Sequence, residues 1–395
     1  MRVEGLKVTV VGGAMGGATA ALLLAEAGAE VRLIERIAQP RAVGAGIGLA
    51  DNGFAVLSAL GIGPALERAS RVVGQPRIVD GKGRVLLAPR GEVPCVRMLR
   101  RSDLYERLLD AVARHPRIRA SFGTEVLSAD ASGTVAVQEE DGARCRHVAD
   151  LVIAADGAHS KLRAQGSFGA TERSGITYAR GLLPAGLALH EEAWTSEGLF
   201  GSFDVADGTY VYFSVAGRAV QRALAVRDVE SLRRVWVRAY PACSELVNAL
   251  EFDTLLVHRV HEVQCTKWSD GRVVLLGDAA HAMAPNLGQG GNSAIVDAAV
   301  LLDELVRHAD LQTALVAYER RRKPAVSVVA TLARRLGRLA ELRQSWLRVL
   351  RDRLLLPIAN HLTSEGSTAR VLQEPPRLLA DIVRRPLEAA SAVDR

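Results

Sequence analysis

The sequence predicts an α/β chain, α+β overall, with a Rossmann-like parallel sheet, an inserted and mostly antiparallel sheet, and C-terminal helices. Three observations predict it. First, the β-branched run Lys7-Val8-Thr9-Val10-Val11 leads into Gly12-Gly13-Ala14-Met15-Gly16-Gly17, an Ala/Leu-rich stretch, and a second run, Glu30 to Ile34, that ends in Glu35. This is the order of a dinucleotide-binding β-α-β unit. Second, the apolar runs Leu151 to Ala155 and Val273 to Leu276 also end in small and acidic residues, Asp156-Gly157 and Gly277-Asp278. Three strand ends of this kind fall on one edge of a parallel sheet, where doubly wound folds bind ligands. Third, residues 177–266 alternate as half-buried strands do, and the chain beyond Leu311 has helical spacing with breaks expected at Pro324 and Pro357.

Each part of the first unit has a physical task. Gly12 makes the tight turn, the small residues that follow let a pyrophosphate approach backbone N–H groups at the helix start, Gly17 allows helix and strand to pack closely, and Glu35 accepts from a ribose hydroxyl. Ala14 stands where the second glycine of the usual pattern would be. An acid at the second strand's end suits an adenosine with a free 2′-hydroxyl, hence FAD or NAD rather than NADP, and Arg36 beside it reads as a solvated flank or a lid on the adenine.

Gly44-Ala45-Gly46-Ile47-Gly48-Leu49 lacks a preceding strand and reads as backbone that passes close to something flat or bulky. Short helices are expected over 51–60 and 64–69, and residues 72–88 alternate around the hairpin turn Asp80-Gly81-Lys82-Gly83. Ser102 is the expected N-cap of a helix that buries Leu104, Leu108, Leu109 and Val112, with Arg101 just outside it and pointing at the ligand. Residues 135–138 and the turn Asp141-Gly142 read as sheet. In Gly208 to Val215, residues Tyr210, Tyr212 and Ser214 share one strand face, so two phenols line a pocket or stack in the core.

The organising stretch runs from Gly277 through Pro285 to Asn292: a buried strand ends in an acid, a glycine-rich turn follows, and a helix begins at Ser293. Asp278 there accepts from sugar-like hydroxyls, and the helix start holds a charged or polar ring edge.

Composition excludes several other classes. Of 395 residues 49% are hydrophobic, enough for a large core; no apolar run reaches a bilayer span and no N-terminal signal is visible. Cys95, Cys145, Cys243 and Cys265 stand alone, which fits a reducing cytoplasm and argues against metal or disulfide frameworks. The net charge of +6 is a C-terminal property: from Glu319 onward 16 Lys and Arg face 8 Asp and Glu. Arg334, Arg335, Arg338, Arg343, Arg348, Arg351 and Arg353 interleave with leucines, and without accompanying aromatics they read as a solvated helix face rather than a nucleic-acid surface.

With these motifs in view, residues 8–323 resemble the single-component FAD-dependent aromatic hydroxylases, the para-hydroxybenzoate and salicylate hydroxylase family. The resemblance implies an FAD domain assembled from 1–71, 99–170 and 267–310, a substrate domain from 72–98 and 171–266, and a helical region over 311–395. It implies a cofactor site of Gly12, Gly13, Ala14, Met15, Gly16, Gly17, Glu35, Arg36, Gly46, Ile47, Arg101, Val126, Asp156, Gly157, Gly277, Asp278, Pro285, Gly288, Gly290, Gly291 and Asn292. Pro285, Tyr210, Tyr212 and Arg180 form the candidate catalytic set; His258 and His281 are further candidates for a base, with His281 the more structural one. The implied activity is hydroxylation of an electron-rich phenolic, anilinic or heteroaromatic small molecule with O2 and NADH or NADPH, through a flavin hydroperoxide, by a cytoplasmic monomer or homodimer. Epoxidation or a ubiquinone-pathway or secondary-metabolite hydroxylation on the same scaffold is the alternative enzyme, and a non-catalytic flavin-binding redox sensor the alternative of another class. Trp194, Trp236, Trp268 and Trp346 are isolated, so the Trp-x-Trp-x-Ile-Pro segment of flavin halogenases is missing.

Overall fold

The computed structural model describes residues 1–39, 45–74, 77–88, 95–358 and 371–393. The expected glycine-rich loop therefore starts within it only at Ala45, and 75–76 of the expected hairpin region lie outside it.

Five parallel strands form the centre, in the order Ile118–Phe122, Glu30–Glu35, Lys7–Val11, Leu151–Ala154, Val273–Leu275, with the two-residue strand Ser269–Asp270 antiparallel at one edge. Val10, Leu33, Ile153 and Val274 are fully buried, as strands covered on both faces require. Val8 pairs with Leu151 and Val152 with Val273, so three strands end side by side at Gly12, Asp156 and Gly277. The helices Met15–Glu26 and Gly290–Arg307 pack on each other beside this edge. A Cβ on Gly16 would come within 2.9 Å of both Leu276 and Ala294 side chains, so glycine there sets their closeness.

The second large sheet has seven strands, in the order Leu256–Cys265, Ala170–Leu183, Gly208–Ser214, Leu199–Val205, Glu191–Trp194, Arg77–Asp80, Val85–Leu87. All pairs are antiparallel except Glu191–Trp194 with Arg77–Asp80. One face carries Ala179, Phe200, Val211 and Phe213 into a core with Leu232 and Trp236. The sequence reading of 177–266 saw alternating strands, and that core adds helices to them. Arg218–Ala225 and Val229–Ala239 cover the sheet, their apolar stripes obscured by many arginines. The other face, with Tyr178, Arg180, Tyr210 and Tyr212, looks toward the strand Gly46–Ala50 and the long helix Leu311–Ala340. Two three-stranded antiparallel sheets complete the described strands: Gly46–Ala50 with Val96–Arg100 and Ser70–Val73, and Glu125–Ala129 with Thr134–Gln138 and Arg144–Val148.

Three local expectations change. The helix Leu311–Ala340 continues past Pro324 without a break. Pro324 and Arg320 both lie on its exposed side, so the Arg320 carbonyl that loses its N–H partner is open to water. The helix Arg101–Arg114 starts one residue before Ser102, which donates to Asp103 instead of capping. Arg351, read as solvated, is fully buried: it bonds Asp352 and the Leu339 carbonyl and lies 5.2 Å over the Trp194 ring.

Candidate active site

The glycine-rich turn has the geometry its sequence implied. Gly12 has φ +100°, and a Cβ on it would lie 2.4 Å from the Ala155 carbonyl oxygen; one on Gly17 would lie 1.9 Å from the Gly12 carbonyl oxygen. Only glycine admits this packing. Glu35 is buried, and its carboxylate accepts from Gly13 N–H at 2.8 Å and Ile37 N–H at 3.0 Å, so it shapes the turn while keeping lone pairs for a hydroxyl. Arg36 is exposed beside it. Ala14 precedes the helix in extended backbone, and Met15 turns inward, its methyl 2.9 Å from where a Gly291 Cβ would be. Val126 lies in the apolar core of its three-stranded sheet.

At the second strand end, one Asp156 oxygen accepts from Lys161 N–H at 2.9 Å, while the other is buried without a partner among the described residues. Burial raises its pKa. An orphaned carboxylate oxygen at this edge suits a ribose or ribityl hydroxyl. Gly157, at φ +86°, has no atom within 4 Å of a notional Cβ.

The third strand end departs from expectation in two places. Gly277 N–H is bonded internally to Asp297, and Asp278 is exposed at the start of the single turn Asp278–His281 rather than buried. Beneath this turn His281 Nε2 meets Asp297 at 2.5 Å and Arg322 Nε donates to Asp297 at 2.7 Å. Although burial raises the Asp297 pKa, His281 and Arg322 outweigh it and the net shift is downward. His281 is thus a strut of the turn, with the Trp268 ring tilted against it at 5.1 Å. Asn292 also works within the protein: its oxygen accepts from Ala50 N–H, and its nitrogen donates to the Gly48 and Gly288 carbonyls. This clamp fixes Ile47 and the Gly46–Ala50 strand against the start of the helix Gly290–Arg307. Gly288, with φ +63°, has nothing within 4 Å of a notional Cβ, and Gly290 has nothing closer than 4.0 Å. Together with the orphaned Gln289 oxygen, these backbone groups fit a flat polar ring edge next to Pro285. Because Asp278 is open to solvent, Asp278→Ala should weaken FAD by about tenfold, toward the low end of the 1.5–3 kcal/mol of a charged hydrogen bond. An unchanged FAD titration would refute its placement.

Facing this edge is the inner surface of the seven-stranded sheet. Arg180 pairs across strands with Tyr212, and Tyr178 with Ser214 and His258. Arg180 is half-buried, lies 5.9 Å over the Tyr178 ring, and has its Nε buried without a hydrogen-bond partner among the described residues. Burial lowers the Arg101 pKa while the Asp278 carboxylate opposes it; Arg180 and Tyr210 also act on this group, which places them in one neighbourhood. Tyr210 stacks on Tyr212 at 5.4 Å and lies against Gly46, where a Cβ would be 2.4 Å from its ring. The flat object anticipated beside the 44–49 stretch is thus, at Gly46, the Tyr210 ring.

Burial raises the pKa of Tyr210 and, further, of Tyr212, which favours the protonated form of both phenols. Two polar partners escaped the sequence reading. Tyr212 donates to the half-buried Glu192 at 2.7 Å, leaning over Gly201, and Asn286 donates to the Tyr178 hydroxyl at 3.1 Å, tying the sheet to the Pro285 turn. An acid within a strand run was the one available signal for Glu192.

His258 keeps an open face, yet partial burial, then Arg180 and Arg101, hold its pKa down to about 4. Its folded pKa lies below the unfolded value of 6.5, so stability is lost as pH falls from about 6.5 to 4, where the unfolded ring binds a proton the folded one refuses. The fall of Tm over that window should be shallower in His258→Asn, and equal slopes would show that this ring contributes nothing to it.

A strand-end glycine and acid site on a parallel sheet, faced by an aromatic and cationic sheet, defines a flavin-dependent oxidoreductase. The chain belongs to the FAD binding domain family, whose model matches residues 5–333. It is 32% identical over 352 residues to a 2-heptyl-3-hydroxy-4(1H)-quinolone synthase of Mycobacteroides abscessus, covering 83% of this chain and 88% of that one. It is 30% identical over 375 residues to an FAD-dependent urate hydroxylase of Klebsiella pneumoniae, covering 88% and 95%. The tetrameric form of 2-methyl-3-hydroxypyridine-5-carboxylic acid oxygenase superposes with a TM-score of 0.78 at 25% identity, covering 95% and 98%.

Proposed function

We propose that this chain is an FAD-dependent monooxygenase that uses NAD(P)H and O2 to hydroxylate an electron-rich heteroaromatic ring bearing an anionic group. The observation that carries the anionic group is Arg180, a half-buried guanidinium whose Nε has no partner among the described residues, set between Tyr178 and Tyr210. A fork of that kind takes a carboxylate or enolate edge bidentately, and the flanking rings suit a flat substrate. The heteroaromatic ring is supported by the quinolone, urate and hydroxypyridine in the names of the three similar proteins.

FAD held here would supply the redox chemistry of a monooxygenation, in which NAD(P)H is oxidised, one oxygen atom of O2 enters the ring and the other ends as water. The protein's residues position and shield. Gly12 to Gly17 and Glu35 hold the adenosine end, Asp156 and Asp278 accept hydroxyls, and the 288–291 backbone stabilises negative charge at the ring edge. Pro285 would lie beside the flavin, and Arg180, with Arg101 in the same neighbourhood, would orient the substrate anion. Tyr210 and Tyr212, stacked on each other, would wall the substrate's side of the site and help to exclude water.

A cytoplasmic monomer or homodimer goes with this reading; among the described residues no helix is long and apolar enough to cross a membrane. The test is a panel of phenols, anilines and nitrogen heterocycles, with NAD(P)H loss and hydrogen peroxide followed together. A substrate speeds NAD(P)H oxidation with little peroxide. If isolated alkenes or lipid quinones couple and no aromatic acid does, the reading fails.

A further inference from the structure

A cleft of about 350 Å³ lies between the end of the seven-stranded sheet and the helix Leu311–Ala340, and Ala284 and Asn286, on either side of Pro285, line it. Five guanidinium groups line it as well: Arg173 and Arg259 from two paired strands, Arg334 and Arg338 from the helix, and Arg343 just beyond it. Among the described residues only Arg334 has a carboxylate partner, Glu262 at 2.6 Å, and Arg343 donates to the Ala216 carbonyl at 2.5 Å. The remaining acid, Glu341, is held toward its neutral form by burial and has an oxygen without a partner.

The cleft therefore carries an uncompensated positive charge. Arg334 and Arg338 are four residues apart on one helix face, an arrangement that disfavours the helix unless an anion lies between them. Guanidinium forks match phosphate oxygens, and clefts of one sign draw in ligands of the other. The proposed reaction requires a reduced dinucleotide, yet the single dinucleotide fingerprint of the chain, Gly12 to Gly17 with Glu35, fits FAD. The cleft supplies what that fingerprint cannot: a phosphate anchor within reach of the Pro285 turn.

We propose that this arginine cleft binds the pyrophosphate of the reduced nicotinamide nucleotide, so that the nicotinamide is delivered past the Pro285 turn to the flavin. This rests on the monooxygenase reading above. The partner is a small polyanion; if the anion were the substrate's own, the aromatic KM would respond instead.

The test compares the holoenzyme with the double variant Arg259→Gln, Arg338→Gln, whose two side chains are exposed. The KM for NAD(P)H should rise by about tenfold per arginine, as loss of a charged hydrogen bond implies. FAD content, Tm and the aromatic KM should match the wild type. Inorganic pyrophosphate should compete with NAD(P)H in the wild type and much less in the variant. Unchanged NAD(P)H kinetics and pyrophosphate inhibition, or a rise confined to the aromatic KM, would overturn the assignment while leaving the monooxygenase reading intact. If no aromatic compound speeds NAD(P)H oxidation by the wild type, the monooxygenase reading and this assignment fall together.

Discussion

A Gly17→Ala chain should be recovered without its yellow cofactor. The added methyl would sit 1.9 Å from the Gly12 carbonyl oxygen and 3.2 Å from the Ala155 side chain, and since the first obstacle is backbone, no rotamer change relieves it. Overpacking costs roughly 1–3 kcal/mol where neighbours can yield, and more is expected here, because strand and helix must separate at the seat of the pyrophosphate. Flavin-to-protein ratio and Tm are the measurements. Gly290→Ala is the matched control, for its notional Cβ meets nothing closer than 4.0 Å, and it should fold with a Tm near that of the wild type. A Gly17→Ala protein with a full complement of FAD would contradict the close packing of turn and helix.

The second large effect is expected at Arg180. Arg180→Gln should lower kcat/KM for an anionic substrate by roughly 30- to several-thousand-fold, since truncating one partner of a desolvated charge pair costs about 2–5 kcal/mol. FAD content should be unchanged, because the cofactor seat proposed above is made of strand-end residues and does not include Arg180. Turnover that remains should leak peroxide, as a ring no longer held in place intercepts less of the activated oxygen. Arg180→Lys should restore little, because an ammonium lacks the planar fork. Substrate kinetics equal to those of the wild type would remove Arg180 from the site.

The legible parts of the sequence were those whose physics is local. Gly12, Asp156 and Gly277 announced strand ends because apolar runs stop there, and the parallel pairing of Lys7–Val11, Leu151–Ala154 and Val273–Leu275 does bring them to one edge. The shared face of Tyr210 and Tyr212 followed from strand alternation alone. What stayed hidden depends on register between distant segments. Glu192 faces Tyr212 only because Gly201 stands between their strands, and Arg351 is buried only because Trp194 and the Leu339 carbonyl receive it. Pro324 misled because the rule for proline assumes a buried carbonyl, whereas Arg320 is exposed. Gly277 and Asn292 were expected at the cofactor by motif; the hydrogen bonds of Gly277 to Asp297 and of Asn292 to the Gly48 and Ala50 backbone depend on distant segments and could not be read from that motif.

The contact between Gly46 and Tyr210 limits how the substrate range can be redesigned. With no side chain at Gly46 on the facing strand, the Tyr210 ring fills the space there, and a Cβ at 46 would fall 2.4 Å from it. Shrinking residue 210 to admit a bulkier ring would therefore also remove the support of a strand that Asn292 clamps to the start of the helix Gly290–Arg307. Selectivity and cofactor retention are mechanically linked at this point. Variants that widen the cavity without loosening the flavin are better sought at Leu182, the cross-strand neighbour of Tyr210, than at Tyr210 itself.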